Sequence, residues 1–213
     1  MKRFDTFLFD LDGTLVDSVA DLATAVNLLR NDLDLPDLDL ATVKTYVGDG
    51  ATMLVRRAIP EEAFSKEILQ RFLGYYEDHL FDRTLPYPGI VPFLDRLAGC
   101  RLAVVTNKPH RFAVKLLAGL QLAQRFTLVL GGDSCPTKKP DAGPVRRALH
   151  DLDAAIETAV MIGDHHTDLR AGRAAGIATC FCAWGIGHND DVVADVTAAS
   201  PDDLLRIFCG EPS

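Results

Sequence analysis

The sequence predicts an α/β protein built on a doubly wound parallel sheet, interrupted after its first strand by an all-helical segment. Three observations carry this. Short, nearly continuous apolar runs recur at Phe7-Leu8-Phe9, Leu102-Ala103-Val104-Val105, Leu128-Val129-Leu130, Val160-Met161-Ile162 and Thr179-Cys180-Phe181-Cys182, as in strands of a parallel sheet covered on both faces. Helical patterns separate the later runs, which is the alternation that makes parallel crossovers. Between residues 18 and 82 nothing alternates with a period of two, so that stretch reads as helices throughout.

The first strand stops at Asp10-Leu11-Asp12-Gly13-Thr14, two carboxylates two residues apart followed by a strand-breaking glycine and a hydroxyl. Asp17-Ser18 caps a helix over 18–31, with Asp21 in its first turn and Val19, Leu22, Ala23, Val26 and Leu29 along one face. Pro36 lies in the connection, Asp39 caps a short helix that stops near Gly48, and Gly48-Asp49-Gly50 is a loop. A helix over 51–59 is ended by Pro60, and Phe64, Ile68, Phe72, Tyr75 and His79 mark a longer one over 61–81. After Pro86-Tyr87-Pro88-Gly89, helices over about 90–98, 110–119, 141–150 and 167–175 alternate with strands over 101–107, 127–131, 159–164 and 178–182. The change of period sets the expected domain boundaries: a core of 1–16 and 84–213, and a helical unit of 17–83 sitting over the acidic turn. No repeat or low-complexity segment occurs, and fraying is expected only in the last few residues.

A chain of 213 residues with 48% hydrophobic and 24% charged residues has the make-up of an ordinary globular protein. Its formal net charge of −8 argues against nucleic acid or an anionic membrane as a general partner, since both require a positive surface field. Lys2 and Arg3 are not followed by the apolar stretch of a signal peptide, and no run reaches the ~18 apolar residues of a membrane span. A cytoplasmic protein is expected. The five cysteines, an odd number without C-x-x-C spacing, indicate neither a disulfide framework nor a zinc ribbon, and Cys180 and Cys182 are expected to be small buried thiols on one strand face.

The strand ends carry the chemistry. Ligands of open α/β sheets bind beyond the carboxyl ends of the strands, and there the sequence places Asp10 and Asp12, then Thr106-Asn107, then Gly163-Asp164 with Asp168 at the start of the next helix. Four carboxylates around one point demand a cation, and Mg²⁺ is the hard, oxygen-seeking ion expected. Lys139, in Lys138-Lys139-Pro140 before a helix, supplies positive charge between a phosphate and an attacking carboxylate.

Asp10-Leu11-Asp12-Gly13-Thr14, Val105-Thr106-Asn107-Lys108, Lys139-Pro140 and Gly163-Asp164-x-x-x-Asp168 resemble the four motifs of the haloacid dehalogenase superfamily, and the helical insert resembles its C1 cap. The resemblance implies a Rossmann-like core, catalysis by Asp10, Asp12, Thr106 and Lys139, and a Mg²⁺ site of Asp10, the Asp12 carbonyl, Asp164 and Asp168. Dehalogenases proper lack the second aspartate, so Asp12 points to a phosphate ester. The finer resemblance is to phosphoglycolate phosphatases, through Tyr46-Val47-Gly48-Asp49-Gly50, Thr106-Asn107-Lys108-Pro109 and Gly131-Gly132-Asp133-Ser134 before Lys139-Pro140-Asp141. It departs from them at Ala142, where a proline is usual, and at His165, where a small hydroxyl residue is usual. His165-His166 can bond a phosphate or a metal-bound water, take a softer ion, or simply form a solvated helix entry or stand behind the residues that hold the metal.

The implied activity is Mg²⁺-dependent hydrolysis of 2-phosphoglycolate through an aspartyl phosphate on Asp10. Alternatives are a phosphatase for a sugar phosphate or pyrophosphate, a phosphomutase, or a non-catalytic phosphate-binding protein. Thr106, Asn107 and Lys139 are expected to bind the phosphate. Gly48, Asp49 and Gly50 either face the leaving group or merely end a helix, and Arg56 is a further candidate for a substrate carboxylate. The partner is then a small-molecule phosphate ester, with no nucleic acid and no membrane, and the protein a monomer or homodimer.

Overall fold

The computed structural model of the chain describes residues 4–210; Lys2, Arg3 and the expected fraying of the last residues lie outside them. In order, the elements are β1 (Thr6–Phe9), β2 (Val16–Asp17), α1 (Val19–Asn31), α2 (Leu40–Lys44), α3 (Ala51–Ala58), α4 (Lys66–Asp78), β3 (Leu85–Pro86), α5 (Ile90–Arg96), β4 (Arg101–Val105), α6 (His110–Gly119), β5 (Leu128–Leu130), α7 (Gly143–Asp151), β6 (Ala159–Gly163), α8 (His166–Ala175), β7 (Ala178–Cys182), β8 (Val196–Ala198) and α9 (Pro201–Leu204).

Six strands pair in the order β5-β4-β1-β6-β7-β8, every neighbour parallel. β1 lies at the centre, with Phe9 opposite Val104 on one side and Ile162 on the other. The strand order turns outward in both directions from β1, and such a switch point opens a crevice at the carboxyl ends. Asp10 follows β1 directly into that crevice. Alternate residues serve the two faces: Phe7, Phe9, Val104 and Ile162 join one core, while Leu8, Ala103, Val105 and Met161 join another with Val145 and Ala171. Cys180 and Cys182 are buried together on the first face.

The sheet is the Rossmann-like α/β core that the apolar runs predict. β8 is an addition, because three residues, Val196–Ala198, after a loop leave no readable period. The segment between β2 and β3 is helical as expected; on α4 Phe72 is buried and Ile68 and Tyr75 pack against the core as expected, as does Phe64 before it, but the buried face extends to Leu73 and Tyr76, and His79 instead pairs with Asp82 at 2.7 Å. Residues 61–63 form a separate 3₁₀ turn, and Ser65 accepts from the Ile68 N–H to start α4.

β2 and β3 form an antiparallel ribbon, Val16 opposite Pro86 and Asp17 opposite Leu85, so the chain leaves for the helices and returns from them side by side. Asp21 is the first-turn acid of α1 as expected, and it also ties this exit and return together. Fully buried, it accepts from the Arg83 N–H (3.1 Å), the Thr84 N–H (2.8 Å) and the Thr84 hydroxyl (2.6 Å). Asp21→Ala leaves these donors without an acceptor and is expected to lower stability by about 2–4 kcal/mol. Urea unfolding measures this, and a loss within about 0.5 kcal/mol would show that the latch contributes nothing.

Candidate active site

Asp10, Asp164 and Asp168 converge at the end of β1 and β6. Each offers a carboxylate oxygen, all within 4.8 Å of one another. Lys139 enters from the segment before α7 and is itself 1% exposed: its ammonium lies 3.0 Å from Asp10 Oδ1, donates to Asp168 Oδ1 at 2.5 Å and donates to the Val105 carbonyl at 2.6 Å. The approach to Asp10 lacks hydrogen-bond alignment, so Asp10 Oδ1 stays buried with no hydrogen-bond partner.

One ammonium does not balance three buried acids. Burial pushes Asp10 up to about 6, with Lys139 pulling against it and Asp168 adding to it. Asp164 goes up to about 7, again through burial first and then through Asp10 and Asp168. Burial alone would lower Lys139, but the charges of Asp10 and Asp168 outweigh it and hold the pKa above the usual lysine range. An all-oxygen, electron-rich, partly unsatisfied cluster of this kind fits a hard divalent cation.

The orientation of Asp164 comes from the backbone. Its Oδ2 accepts from the Ile186 (2.9 Å) and Gly187 (2.8 Å) N–H groups, and its Oδ1 accepts from the Thr14 hydroxyl at 2.8 Å. Gly13 makes the approach possible: its φ is +86°, and a Cβ there would stand 2.1 Å from Asp164 Oδ2. Asp168 closes the start of α8 by accepting from the His165 N–H at 3.0 Å.

Asp12 lies in a different setting. Lys108 donates to both of its oxygens at 3.0 Å, and the Ser18 hydroxyl donates to Oδ1 at 2.5 Å. Its carboxylate is therefore engaged away from the three acids, and only its main chain is left for a metal. Ser18, expected to cap α1 with its side chain, makes no such cap bond. Lys108 also donates to the Tyr76 hydroxyl at 2.6 Å. Burial acts to lower Lys108, but Asp12 and then Tyr76 outweigh it and raise its pKa, while burial raises the Tyr76 phenol to about 12. The sequence reading gave roles to neither. A lysine between a strand end and a helix-opening proline, in Thr106-Asn107-Lys108-Pro109, was the available signal.

Thr106 and Asn107 line the same cavity as Asp10 and Asp12. The Asn107 amide donates to the carbonyls of Gly48 and Lys139, both at 3.0 Å. It thus ties the 48–50 loop to the lysine segment. A Cβ on Gly50, φ +89°, would stand 2.9 Å from the Asn107 carbonyl oxygen. Lys138 donates to the Asp49 carbonyl, so the loop rests directly on the core. Asp49 is held below the ordinary carboxylate range: burial acts to raise it, but the Arg57 guanidinium, 2.5 Å away, with His165 and His166, outweighs burial. Arg56 lies apart, bonded to Glu61 and stacked over Phe64. The far wall of the cavity is apolar, formed by Leu22, Leu54, Phe72, Leu73 and Phe112.

His165 is buried beneath Gly48 and His166 is half-buried; their rings are 4.1 Å apart and that of His188 is 5.2 Å from His165. Burial pushes His165 down to about 4. His165 does form the helix entry, its ring accepting the Thr167 N–H to cap α8, but it is buried against the 48–50 loop rather than solvated.

The family model for haloacid dehalogenase-like hydrolases matches residues 7–182. A phosphoglycolate phosphatase of Chromobacterium violaceum is 39% identical over 217 residues, covering 98% of each chain. One from Neisseria meningitidis serogroup A is 40% identical over 215 residues, covering 97% of this chain and 88% of its own. The crystal structure of a predicted phosphoglycolate phosphatase from Haemophilus somnus superposes with a TM-score of 0.90 at 30% identity, covering 97% of this chain and 99% of that one. With the acid cluster, the buried lysine and the paired aspartates standing on this sheet, the chain belongs to the haloacid dehalogenase-like hydrolases.

Proposed function

We propose that the protein is a Mg²⁺-dependent phosphoric monoester hydrolase acting on 2-phosphoglycolate through a phosphorylated Asp10. The separation of Asp10 from Asp12 carries this reading: one carboxylate sits against Lys139 in the acid cluster, the other against Lys108 and Ser18. Two acids in unlike surroundings are suited to unlike roles.

Asp10 attacks phosphorus in line, and the bond to the leaving oxygen breaks as the acyl-phosphate bond forms. Asp12, in its protonated form, gives its proton to the departing alkoxide and then takes one from the water that hydrolyses the acyl phosphate. Lys139 and the Thr106 hydroxyl face the charge on the phosphoryl oxygens. Mg²⁺, held by Asp10, Asp164, the Asp12 carbonyl and, directly or through water, Asp168, supplies further positive charge there. The helices of 17–83 act as a cap whose 48–50 loop closes over the leaving group and excludes water.

The choice of a small anionic ester rests on the cavity wall and on the relatives' names. Lys108 is a cation lining the cavity, shared with Asp12 and Tyr76, whereas Leu54, Phe72 and Leu73 give the hydroxyls of a sugar no partner. The test is phosphate release with Mg²⁺ from 2-phosphoglycolate beside sugar phosphates, nucleotides and pyrophosphate. A strong preference for 2-phosphoglycolate is expected; comparable rates across the panel would withdraw that substrate.

The raised acids also set a pH dependence for metal binding. Below their pKa values of about 6 and about 7, Asp10 and Asp164 hold protons that Mg²⁺ must displace. Apparent Mg²⁺ affinity is therefore expected to weaken roughly tenfold or more from about pH 8 to about pH 6, because metal binding releases ligand protons. Calorimetric titration at both pH values checks this, and equal affinities would place the ion on other groups.

A further inference from the structure

A second group of metal-ligand side chains lies where the 48–50 loop meets the start of α8. Asp49, His165 and His166 each offer a ligand atom, and these lie within 4.8 Å of one another. We propose that Asp49, His165 and His166 bind a borderline divalent transition ion such as Zn²⁺, separate from the carboxylate cluster, and that this ion fastens the 48–50 loop to the core.

The atoms left over by other contacts fit that role. Arg57 takes Oδ2 of Asp49, leaving Oδ1. His165 Nδ1 is 3.0 Å from the Thr167 hydroxyl and accepts the Thr167 N–H at 3.4 Å; ligation through Nε2 moves the ring proton to Nδ1, where the Thr167 hydroxyl oxygen is the acceptor, and the Nε2 edge faces the loop: a Cβ on Gly48 would stand 2.8 Å from both Cδ2 and Nε2. His166 Nε2 lies 3.4 Å from Asp190, while its Nδ1 is buried and has no hydrogen-bond partner. A ligating imidazole characteristically donates its second ring N–H to an oxygen acceptor, most often a carboxylate, backbone carbonyl or water, which fixes tautomer and ring plane. Thr167 and Asp190 stand in those places, and Asp190 also meets His188 Nδ1 at 2.8 Å.

Two imidazoles and one carboxylate form a donor set for Zn²⁺ and its neighbours, not for Mg²⁺, which prefers oxygen and keeps its waters. The two ions therefore select different sites on one chain. The histidine site joins residues far apart in sequence, one from the loop between α2 and α3, one from the turn after β6 and one from the start of α8, so its occupant restrains the loop that overlies Asn107.

Co²⁺ is the probe, added to the full-length protein with saturating Mg²⁺ present. One equivalent is expected to bind with the strong visible ligand-field absorption of a low-symmetry nitrogen–oxygen site, and Zn²⁺ is expected to displace it. His166→Gln and Asp49→Asn are each expected to weaken binding at least about tenfold, and the second, on a half-exposed loop residue, keeps the test open if the first fails to fold. Asp10→Asn, which removes an acid of the other cluster, is expected to leave the absorption unchanged, so the result stands whether or not the hydrolase reading does. No absorption with wild type, competitive displacement by Mg²⁺, or unaltered binding in both variants would overturn the proposal.

Discussion

Asp10→Asn is expected to reduce turnover on the order of 10⁴-fold or more, as removal of a covalent nucleophile does, while the fold is kept. Asparagine has the size and shape of the aspartate but cannot form the acyl phosphate. Its neutral amide also avoids the penalty of burying a charge that drives Asp10 up to about 6, so the variant is expected to fold. Lys139 keeps its 2.5 Å bond to Asp168. Rapid-quench labelling with a radiolabelled ester is expected to trap phosphate on wild type and none on the variant. Turnover within tenfold of wild type in a folded Asp10→Asn protein would remove Asp10 from the nucleophile's role.

Lys139→Met is expected to abolish activity and, unlike Asp10→Asn, to destabilise the protein severely. The substitution keeps an unbranched side chain of similar length but leaves Asp10 and Asp168 facing each other without the ammonium that meets both. Breaking a buried pair by removing one partner costs about 3–5 kcal/mol. The pH dependence distinguishes charge from packing. Asp10 and Asp164 already have folded pKa values above the 3.8 of an ordinary aspartate, so each ionisation destabilises the metal-free fold as pH rises from that value through the raised one. Without Lys139, which holds Asp10 down, the Asp10 value rises further. The loss is then expected to be small near about pH 4 and largest above about pH 7. Urea unfolding in chelator at both pH values measures it, and an equal loss at each would reduce Lys139 to a packing role.

Most of the site was legible because its side chains follow apolar runs at strand ends. Asp10, Thr106 and Asp164 each sit where a strand must stop, and Lys139 precedes a proline and a helix. What was not legible depends on partners that sequence spacing does not encode. The N–H groups of Ile186 and Gly187 that orient Asp164 leave no side-chain signature. Ser18 has the local pattern of a helix cap, yet its hydroxyl serves Asp12, and Asp21 has the pattern of a first-turn acid, yet it binds Arg83 and Thr84 across the ribbon. In both cases a residue competent for a local bond makes a distant one. On α4 the expected Phe72 is buried and Ile68 and Tyr75 pack against the core, but Tyr76, whose hydroxyl accepts from Lys108, is buried more deeply than hydrophobic spacing alone indicates.

The ribbon of β2 and β3 also bears on how the chain collapses. β1 and β4 are adjacent in the sheet, Phe9 opposite Val104, but about 95 residues separate them in sequence. Closing so long a loop in one step is slow, since the entropy cost precedes the contacts. Once Val16–Asp17 meets Leu85–Pro86, only about 25 further residues must be gathered to align β1 with β4, and the closure cost falls by about 1.2 kcal/mol. The helices between them, whose contacts are closer in sequence, thus provide a kinetic shortcut to the central pairing of a sheet to which they contribute no strand.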